Sequence, residues 1–464
     1  MLFTPQNRVL TGGVFRVPKE AKASAHASMA HPVLAELWRG GTFSLSALAV
    51  EPVDASVFML GDAPLPSLGE NDYAVNVTKS GIAIAAKDEK ALKAGFMMLI
   101  DAMRPEKDGA VVDAQTFAEK PLIPIRMAHI CVFPDTKLWE IHKTIRLCGA
   151  LKYTHVILEF WGMFRYESLA ALSWAHAFTK KDLAPLVEEA RGMGMEVVPM
   201  FNHFGHASQS RVMHGKHAVL DNDPRYAYLF DASGWCWRIG DKDVRALLRS
   251  MREELIDLCG DSGYFHIGCD EAYGYVYDER GMETSCEYIS EVNADIRSHG
   301  RRTILWADMM LAHHAAYDAG NRYETNLKDE ETEARILAAL PKDLIAADWQ
   351  YNVSKYPVET ALTLKNAGFD VMLCPWDRSG EALDACLGTV KKNGLYGLIH
   401  TTWHTLSRGT PYLAFAAMGC FTDERRGPWT AAACEEAALL RKVYAVGGDY
   451  EKAGWAKREI EVSV

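Results

Sequence analysis

The chain has 464 residues, 49% of them hydrophobic and 24% charged, which predicts a folded, soluble protein of more than one domain. The net charge of −11 disfavours a nucleic acid or an anionic membrane surface as partner. No apolar run approaches the ~20 residues that span a bilayer, and the N-terminal sequence lacks the regions of a signal peptide. The ten cysteines form no CxxC pair, so we expect reduced thiols and a cytoplasmic location.

The first part of the chain, residues 1–120, predicts a small α/β domain. Tyr73–Val77 and Gly81–Ala85 alternate like strands on either side of a short polar turn. Asp88–Met103 follows with apolar residues at helical spacing. No residue of this segment has an evident chemical role.

Residues 121–464 predict a (β/α)8 TIM barrel with C-terminal helices, because strand-like runs alternate with helical patterns. The strand-like runs are Arg126–Phe133, His155–Phe160, Glu196–Phe201, Tyr264–Gly268, Thr303–Trp306, Leu344–Trp349, Phe369–Cys374 and Leu398–Trp403. A barrel usually needs ~250 residues, so long active-site loops are expected, one of them at Gly205–Asp241. Trp429–Tyr444 and the residues beyond predict helix outside the barrel.

The segment Tyr264–Tyr277, YFHIGCDEAYGYVY, holds the main candidate for chemistry. It begins as an apolar strand, breaks at Gly268 and continues into two adjacent carboxylates, Asp270 and Glu271. A barrel presents its catalytic side chains where strands end, at the C-terminal face. We therefore interpret Asp270 and Glu271 as catalytic rather than as a solvated turn.

The motif HIGCDE resembles the H-I-G-G-D-E signature of family 20 glycoside hydrolases, the β-N-acetylhexosaminidases. With Cys269 it is most similar to the short hexosaminidase D-like branch of that family. The resemblance covers the barrel throughout and the preceding domain loosely. It implies a small α/β accessory domain before the barrel, Glu271 as general acid and base, and Asp270 as the partner of the substrate's acetamido group.

The resemblance implies further substrate-binding residues on the first three barrel strands. The arginine that matches Arg126 holds two ring hydroxyls in the family, a role that suits a planar fork of donors. His206 stands in the segment MFNHFGH, which resembles the family's P-G-H. Glu159 is an acid in an apolar strand and needs a partner. The expected set is Glu159, His206 and Glu271, in which the first two orient the third.

Tryptophans stand at corresponding strand ends in four successive barrel units. Together they predict an aromatic box for a pyranose ring and an acetamido methyl group, and the family has tryptophans at matching positions. The members of the box are Trp306, Trp349, Trp376 and Trp403.

The sequence departs from the family pattern at two positions. Asp377 stands where the family commonly has a tyrosine that binds the acetamido carbonyl, and Thr405 stands where many members have a glutamate. The first departure weakens the case for an N-acetyl substrate, although Tyr351 or Tyr273 could supply the missing hydroxyl. Asp377 itself is predicted to bind substrate, because it follows Trp376 directly. The second leaves the choice between gluco and galacto sugars open.

The resemblance implies a retaining exo-β-N-acetylhexosaminidase that removes terminal β-linked GlcNAc or GalNAc from an oligosaccharide or glycoconjugate through an oxazolinium intermediate. Two alternatives remain: a glycosidase for a terminal sugar without the 2-acetamido group, and a sugar-binding barrel without turnover. A metal-dependent hydrolase is disfavoured because His129 lacks the His-x-His pattern of such barrels. We expect no cofactor and no metal, and a homo-oligomer stays open.

Overall fold

The computed structural model describes residues 2–3, 5, 7–39, 43, 45–107, 109–208, 219–276, 279–406, 409–422 and 429–444. The predicted loop at 205–241 and the predicted C-terminal helix therefore lie partly outside the described residues. Among the helices in the described ranges, none is long and apolar enough to cross a bilayer.

The N-terminal part of the chain folds as a mixed sheet with helices against it. Its strands follow the order β1-β8-β5-β6-β4-β2-β3, and β7 pairs with β8. The elements are β1 (Val9–Val17), β2 (Glu20–His26), α1 (Pro32–Arg39), β3 (Ala47–Val53), β4 (Val57–Gly61), β5 (Tyr73–Val77), β6 (Gly81–Ala86), α2 (Glu89–Ala102), β7 (Arg104–Glu106) and β8 (Gly109–Glu119). The predicted strand–strand–helix segment is confirmed as β5, β6 and α2.

A closed barrel of parallel strands follows the sheet, with its strands in the order β10-β11-β12-β13-β14-β15-β16-β9. The strands are β9 (Ile125–Cys131), β10 (His155–Glu159), β11 (Glu196–Met200), β12 (Tyr264–His266), β13 (Arg302–Trp306), β14 (Ile345–Asp348), β15 (Asp370–Leu373) and β16 (Gly397–Thr401). The helices are α3 (Leu138–Ala150), α4 (Lys180–Gly192), α5 (Val219–Asn222), α6 (Lys242–Cys259), α7 (Tyr273–Val276), α8 (Glu279–Ser298), α9 (Glu330–Ala339), α10 (Glu359–Asn366), α11 (Gly380–Asn393), α12 (Thr410–Gly419) and α13 (Trp429–Val443).

The predicted TIM barrel is confirmed, but most of its strands end earlier than the apolar runs suggest. Strand β10 stops at Glu159, and the apolar run continues into a short 3-10 turn, Trp161–Met163. Strand β16 stops at Thr401, and Trp403–Thr405 forms a similar turn. The aromatic side chains after the strands therefore stand above the barrel wall, where a ligand can reach them.

The sheet and the barrel meet around one buried cation, Lys152, whose side chain is fully buried. Its ammonium lies 2.7 Å from Glu119 Oε2 and 3.3 Å from the Tyr73 hydroxyl. It also lies 3.7 Å from the ring centroid of Phe3 and 3.9 Å from that of Phe421. Burial lowers the pKa of Lys152, and the carboxylate of Glu119 opposes that shift. One ion pair with aromatic faces around it thus joins both parts of the chain.

We expect Lys152→Met to destabilise the fold by about 3–5 kcal/mol, since it leaves the Glu119 carboxylate buried without its cation. Chemical denaturation followed by circular dichroism measures the change. The matched control is Lys22→Met, because the ion pair of Lys22 with Glu51 is exposed to solvent. That exposed pair should contribute less than about 1 kcal/mol to the free energy of unfolding. Equal unfolding midpoints for the two variants would contradict this account of the interface.

Candidate active site

A strained turn carries the two catalytic candidates out of the barrel after β12. Gly268 has φ +68°, and a Cβ atom there would lie 2.6 Å from Asn202, so only glycine fits. Cys269 and Glu271 also adopt positive φ values, 79° and 49°. Backbone strain of this kind persists only where surrounding contacts hold it, and it is concentrated at functional sites.

Asp270 is almost completely buried, with 4% of its surface exposed. Contacts with neighbouring polar side chains hold its carboxylate in place. Its Oδ1 accepts a hydrogen bond from the side-chain amide of Asn202, and its Oδ2 lies 3.3 Å from His206 Nε2. The Asn202 side-chain oxygen also accepts from the backbone N–H of Cys269, at 3.1 Å. Asn202 therefore fixes both the side chain of Asp270 and the backbone that leads to it.

Glu271 is clamped through its backbone, whereas its carboxylate faces the open pocket. Its N–H donates to Asp308 Oδ2 at 2.9 Å, and its carbonyl oxygen accepts from Trp235 Nε1 at 2.7 Å. The side chain is 32% exposed, and Oε2 lies 3.0 Å from His206 Nε2. This combination suits a proton donor, because the position is fixed while the reacting oxygens stay accessible.

A pocket of about 390 Å³ opens above the two carboxylates, within the size range of small-ligand sites. It is lined by Phe133, His206, Trp235, Asp270, Glu271, Glu324, Trp349, Tyr351, Asn352, Trp376, Arg378, Trp403 and His404. Tyr351 lies between Trp349 and Trp376, with ring centroids 5.1 and 5.3 Å apart. The pocket therefore combines flat apolar walls with two carboxylates at its base, as a sugar-binding site requires.

Tyr351 offers a hydroxyl group on the aromatic wall. Its oxygen accepts a hydrogen bond from Trp403 Nε1. Burial raises the pKa of Tyr351 well above its ordinary value, so the phenol stays protonated at neutral pH. Tyr273 differs from Tyr351, because it begins the helix after Glu271, is 36% exposed and does not line the pocket.

Arg126 does not belong to the pocket, which corrects the prediction for that residue. It is the second residue of β9, and its guanidinium donates to the backbone carbonyl oxygens of Lys152, Ile123 and Pro124. The side chain lies at the N-terminal end of its strand, opposite the catalytic turn. There it satisfies carbonyl groups that the strand and helix ends leave open.

The predicted set of Glu159, His206 and Glu271 forms only in part. His206 contacts Glu271, as expected. Glu159 instead lies inside the barrel, 2% exposed, with its Oε2 2.8 Å from His129 Nε2. Trp161 occupies the side of His206, with ring centroids 5.4 Å apart. The chain turns at Trp161, which has φ 46°, and this turn places an indole where a carboxylate was expected.

Two other predicted binding residues lie outside the pocket lining. Trp306 is fully buried inside the barrel, with its ring centroid 4.2 Å from that of His266 and 5.7 Å from that of Trp403. It supports the wall from behind, because its strand directs it inward. The Asp377 carboxylate faces Gly409 at the start of α12, and its neighbour Arg378 lines the pocket instead. The box is therefore built from Trp349, Trp376 and Trp403 with Tyr351.

Sequence reasoning missed several residues that shape the site, among them Asn202, Trp235 and Asp308. Asp308 follows β13 by two residues, so its place at a strand end was a usable signal. Asn202 lies within the segment MFNHFGH that supplied His206. Trp235 comes from the long loop, and its contact with Glu271 depends on tertiary folding that no local pattern indicates.

Two clusters near the site have the residue types of metal ligands: His206 with Asp270 and Glu271, and His129 with Cys131 and Glu159. In both clusters a histidine nitrogen lies at direct hydrogen-bond distance from a carboxylate oxygen, 3.0 and 2.8 Å. The second cluster is buried below the pocket floor. In the first cluster His206 Nε2 lies 3.3 Å from Asp270 Oδ2 and 3.0 Å from Glu271 Oε2.

Part of the chain resembles known proteins in its sequence. Residues 153–379 match glycosyl hydrolase family 20, catalytic domain. Hexosaminidase D from Bos taurus is 27% identical over 137 residues, a match that spans 29% of this chain and 36% of that relative. The match thus covers about a third of the relative's length.

Solved structures show the same fold. Flavobacterium johnsoniae chitobiase superposes with a TM-score of 0.68 at 15% identity, over 95% of this chain and 72% of that chain. The exo β-N-acetylglucosaminidase from Vibrio harveyi in complex with N-acetylglucosamine gives a TM-score of 0.67 at 14% identity, over 95% of this chain and 77% of that chain.

The matched range runs from the segment before β10 to the residues after β15 and contains Asp270 and Glu271. It therefore includes the strained turn and most of the aromatic wall. Over this range the chain resembles the catalytic domain of glycosyl hydrolase family 20.

Proposed function

We propose that the protein is a retaining exo-β-N-acetylhexosaminidase that removes a terminal β-linked GlcNAc or GalNAc residue by substrate-assisted catalysis. The observation that carries the proposal is the pair Asp270 and Glu271 at the base of an aromatic pocket, bridged by His206. The pocket's volume and flat walls suit a single pyranose ring with its acetamido group.

In this mechanism Glu271 donates a proton to the glycosidic oxygen as that bond breaks. The acetamido oxygen of the substrate attacks C1 and forms an oxazolinium ring, and Asp270 accepts the hydrogen bond of the ring N–H. Glu271, now a carboxylate, takes a proton from water, which attacks C1 and restores the acetamido sugar. Configuration is retained without an enzyme nucleophile. The buried Asp270 favours the positive ring because its charge is poorly screened by solvent.

Tyr351 is the residue we propose for the acetamido carbonyl oxygen, in place of the tyrosine that the family commonly has beside the seventh-strand tryptophan. It lines the pocket next to Trp376, and its phenol is kept protonated.

The second candidate function, a glycosidase for a sugar without the acetamido group, is favoured by one observation. Glu324 lines the same pocket and gives it a third carboxylate.

We also propose a cytoplasmic location. The cysteines whose side chains the structure describes are free thiols, mostly buried. Burial raises the pKa of several of them, including Cys148, Cys259 and Cys386. Buried, unreactive thiols are compatible with a reducing compartment.

We expect Glu271→Gln to lower hydrolysis of a β-N-acetylglucosaminide by about 10²- to 10⁴-fold while ligand affinity changes little, since the amide keeps the shape but has no acid proton to give. The measurement is kcat on a substrate with a poor leaving group, with binding of the product sugar by calorimetry. Glu331→Gln, on the exposed start of α9, is the matched control. Near-full turnover by Glu271→Gln would remove this residue from the role of acid.

Participation of the acetamido group predicts strong inhibition by a thiazoline that mimics the cyclised intermediate, because such mimics gain contacts that the ground state cannot make. Asp270→Ala should weaken both turnover and thiazoline affinity. The comparison substrate is the matched glycoside with a 2-hydroxyl group. Equal rates on the two substrates, without thiazoline inhibition, would favour the second candidate function instead.

Thorough chelation should leave turnover unchanged, because the proposed mechanism uses carboxylates and the substrate's own nucleophile. The measurement is kcat/KM before and after dialysis against a strong chelator, with re-addition of single divalent ions. Activity that disappears on chelation and returns with one ion would assign a metal to the His206–Asp270–Glu271 cluster.

A further inference from the structure

The carboxylate of Asp308 connects the general acid to the sugar-binding wall. It is 1% exposed and accepts hydrogen bonds at both oxygens. Oδ2 receives the backbone N–H of Glu271 at 2.9 Å and the side-chain amide of Asn326 at 2.7 Å. Oδ1 receives the indole N–H of Trp349 at 2.9 Å. One buried group thus holds the catalytic turn on one side and a wall of the pocket on the other.

The contact with Glu271 matters because that residue is strained. Its φ of 49° is a conformation that residues with a side chain rarely adopt. Hydrogen bonds at both ends of the residue, from its N–H to Asp308 and from Trp235 to its carbonyl oxygen, oppose relaxation of the turn. Without the Asp308 bond the N–H would be left without this acceptor, and the turn could relax.

We propose that Asp308 is a positioning residue that keeps the Glu271 carboxyl aligned with the glycosidic oxygen of a sugar held against Trp349. This inference rests on the proposed function and extends it. Asp308 is not among the residues that line the pocket. It acts through the backbone of Glu271 and through the indole of Trp349, so sugar binding and proton donation share one anchor.

The arrangement requires Asp308 to be ionised. All three partners are N–H donors, so a proton on either oxygen would face a donor and displace at least one hydrogen bond. Burial and the nearby charge of Asp270 raise the pKa of Asp308 to about 7, against the three hydrogen bonds that favour the charged form. Other titratable residues near it, in the part of the chain that the structure describes, include Glu271, Cys269 and Tyr273 on the turn and the helix that follow β12.

The decisive experiment compares leaving groups in Asp308→Asn. An aryl aglycone that leaves readily needs little help from an acid, whereas an alkyl aglycone needs full protonation. If Asp308 aligns Glu271, kcat for the alkyl glycoside should fall on the order of 10- to 100-fold, and kcat for the activated aryl glycoside should fall much less. An equal loss on both substrates, or no loss, would overturn the inference.

The pH profile provides a second readout that a purely structural role would not change. Wild-type kcat should decline as the pH falls through about 7, because Asp308 takes up a proton and loses a hydrogen bond. That component of the acid limb should be absent from Asp308→Asn, which carries no titrating group at this position. An unchanged acid limb in the variant would argue against the proposal.

Asp101→Asn is the matched control. Asp101 is 2% exposed and also accepts backbone N–H groups, those of Leu2 and Phe3, but it lies in the N-terminal domain. The same chemical change there should lower stability without selectivity between leaving groups and without a shift of the pH profile. If the two variants behave alike, the effect of Asp308 is a general loss of stability, and the proposal fails.

Trp349→Phe keeps the inference testable should Asp308→Asn not fold. The change removes the one indole donor to Asp308 Oδ1 and keeps an aromatic face. We expect the same selectivity against the alkyl glycoside from Trp349→Phe alone. Where Asp308→Asn does fold, the double variant should lose less than the sum of the single losses, because both changes act on one network. Additive losses would refute the shared anchor. A wild-type protein that hydrolyses no β-N-acetylhexosaminide would instead refute the proposed function.

Discussion

This structure depends on one constraint: carboxylates buried inside an apolar barrel must be stabilised by polar partners. A carboxylate buried without partners is far more expensive than any single apolar contact is favourable. Two buried acids at the mouth of the barrel are therefore held by donors: Asn202 and His206 contact Asp270, and Glu271, Asn326 and Trp349 donate to Asp308. These donors come from different strand ends, so satisfying the acids also fixes the loops that form the pocket.

The same constraint explains the unusual backbone of the site. His206, Cys269, Glu271, Trp161 and Trp403 all adopt positive φ values, and all lie at or next to the pocket. Turns of this kind let side chains from successive strands converge on a small volume, which regular strands cannot do. At Cys269 and Glu271 hydrogen bonds offset the strain, because their backbone N–H groups donate to Asn202, which holds Asp270, and to Asp308.

The sequence predicted the barrel well because the signal is periodic and local. Each strand is an apolar run, and the units repeat, so errors are confined to the ends where the runs continue into turns. It predicted Asp270, Glu271 and His206 because their short segments resemble a known signature. It failed for Arg126, Glu159, Trp306 and Asp377 because strand periodicity does not show which end or which side of the wall a side chain reaches. Asp308 and Trp235 depend on contacts between distant segments.

The aromatic wall differs from the predicted box in a way that affects chemistry. A tyrosine replaces one expected indole, so the wall contains a hydrogen-bonding group among its flat surfaces. Trp306 still contributes, but from behind, by filling the barrel under Trp403. A pocket made in this way discriminates by where its few polar atoms stand, because the stacking surfaces accept any pyranose of similar shape.

The buried cation Lys152 has a consequence for the architecture of the whole chain. It stands near the N-terminal ends of the barrel strands, where it meets Glu119 from the sheet, Phe3 from the chain start and Phe421 from the segment after α12. If the chain were cut between sheet and barrel, Lys152 would lose its Glu119 partner in an apolar environment, and the aromatic rings around Lys152 would become exposed. The sheet domain thus covers the N-terminal side of the barrel. The barrel could not be transferred to another protein without it.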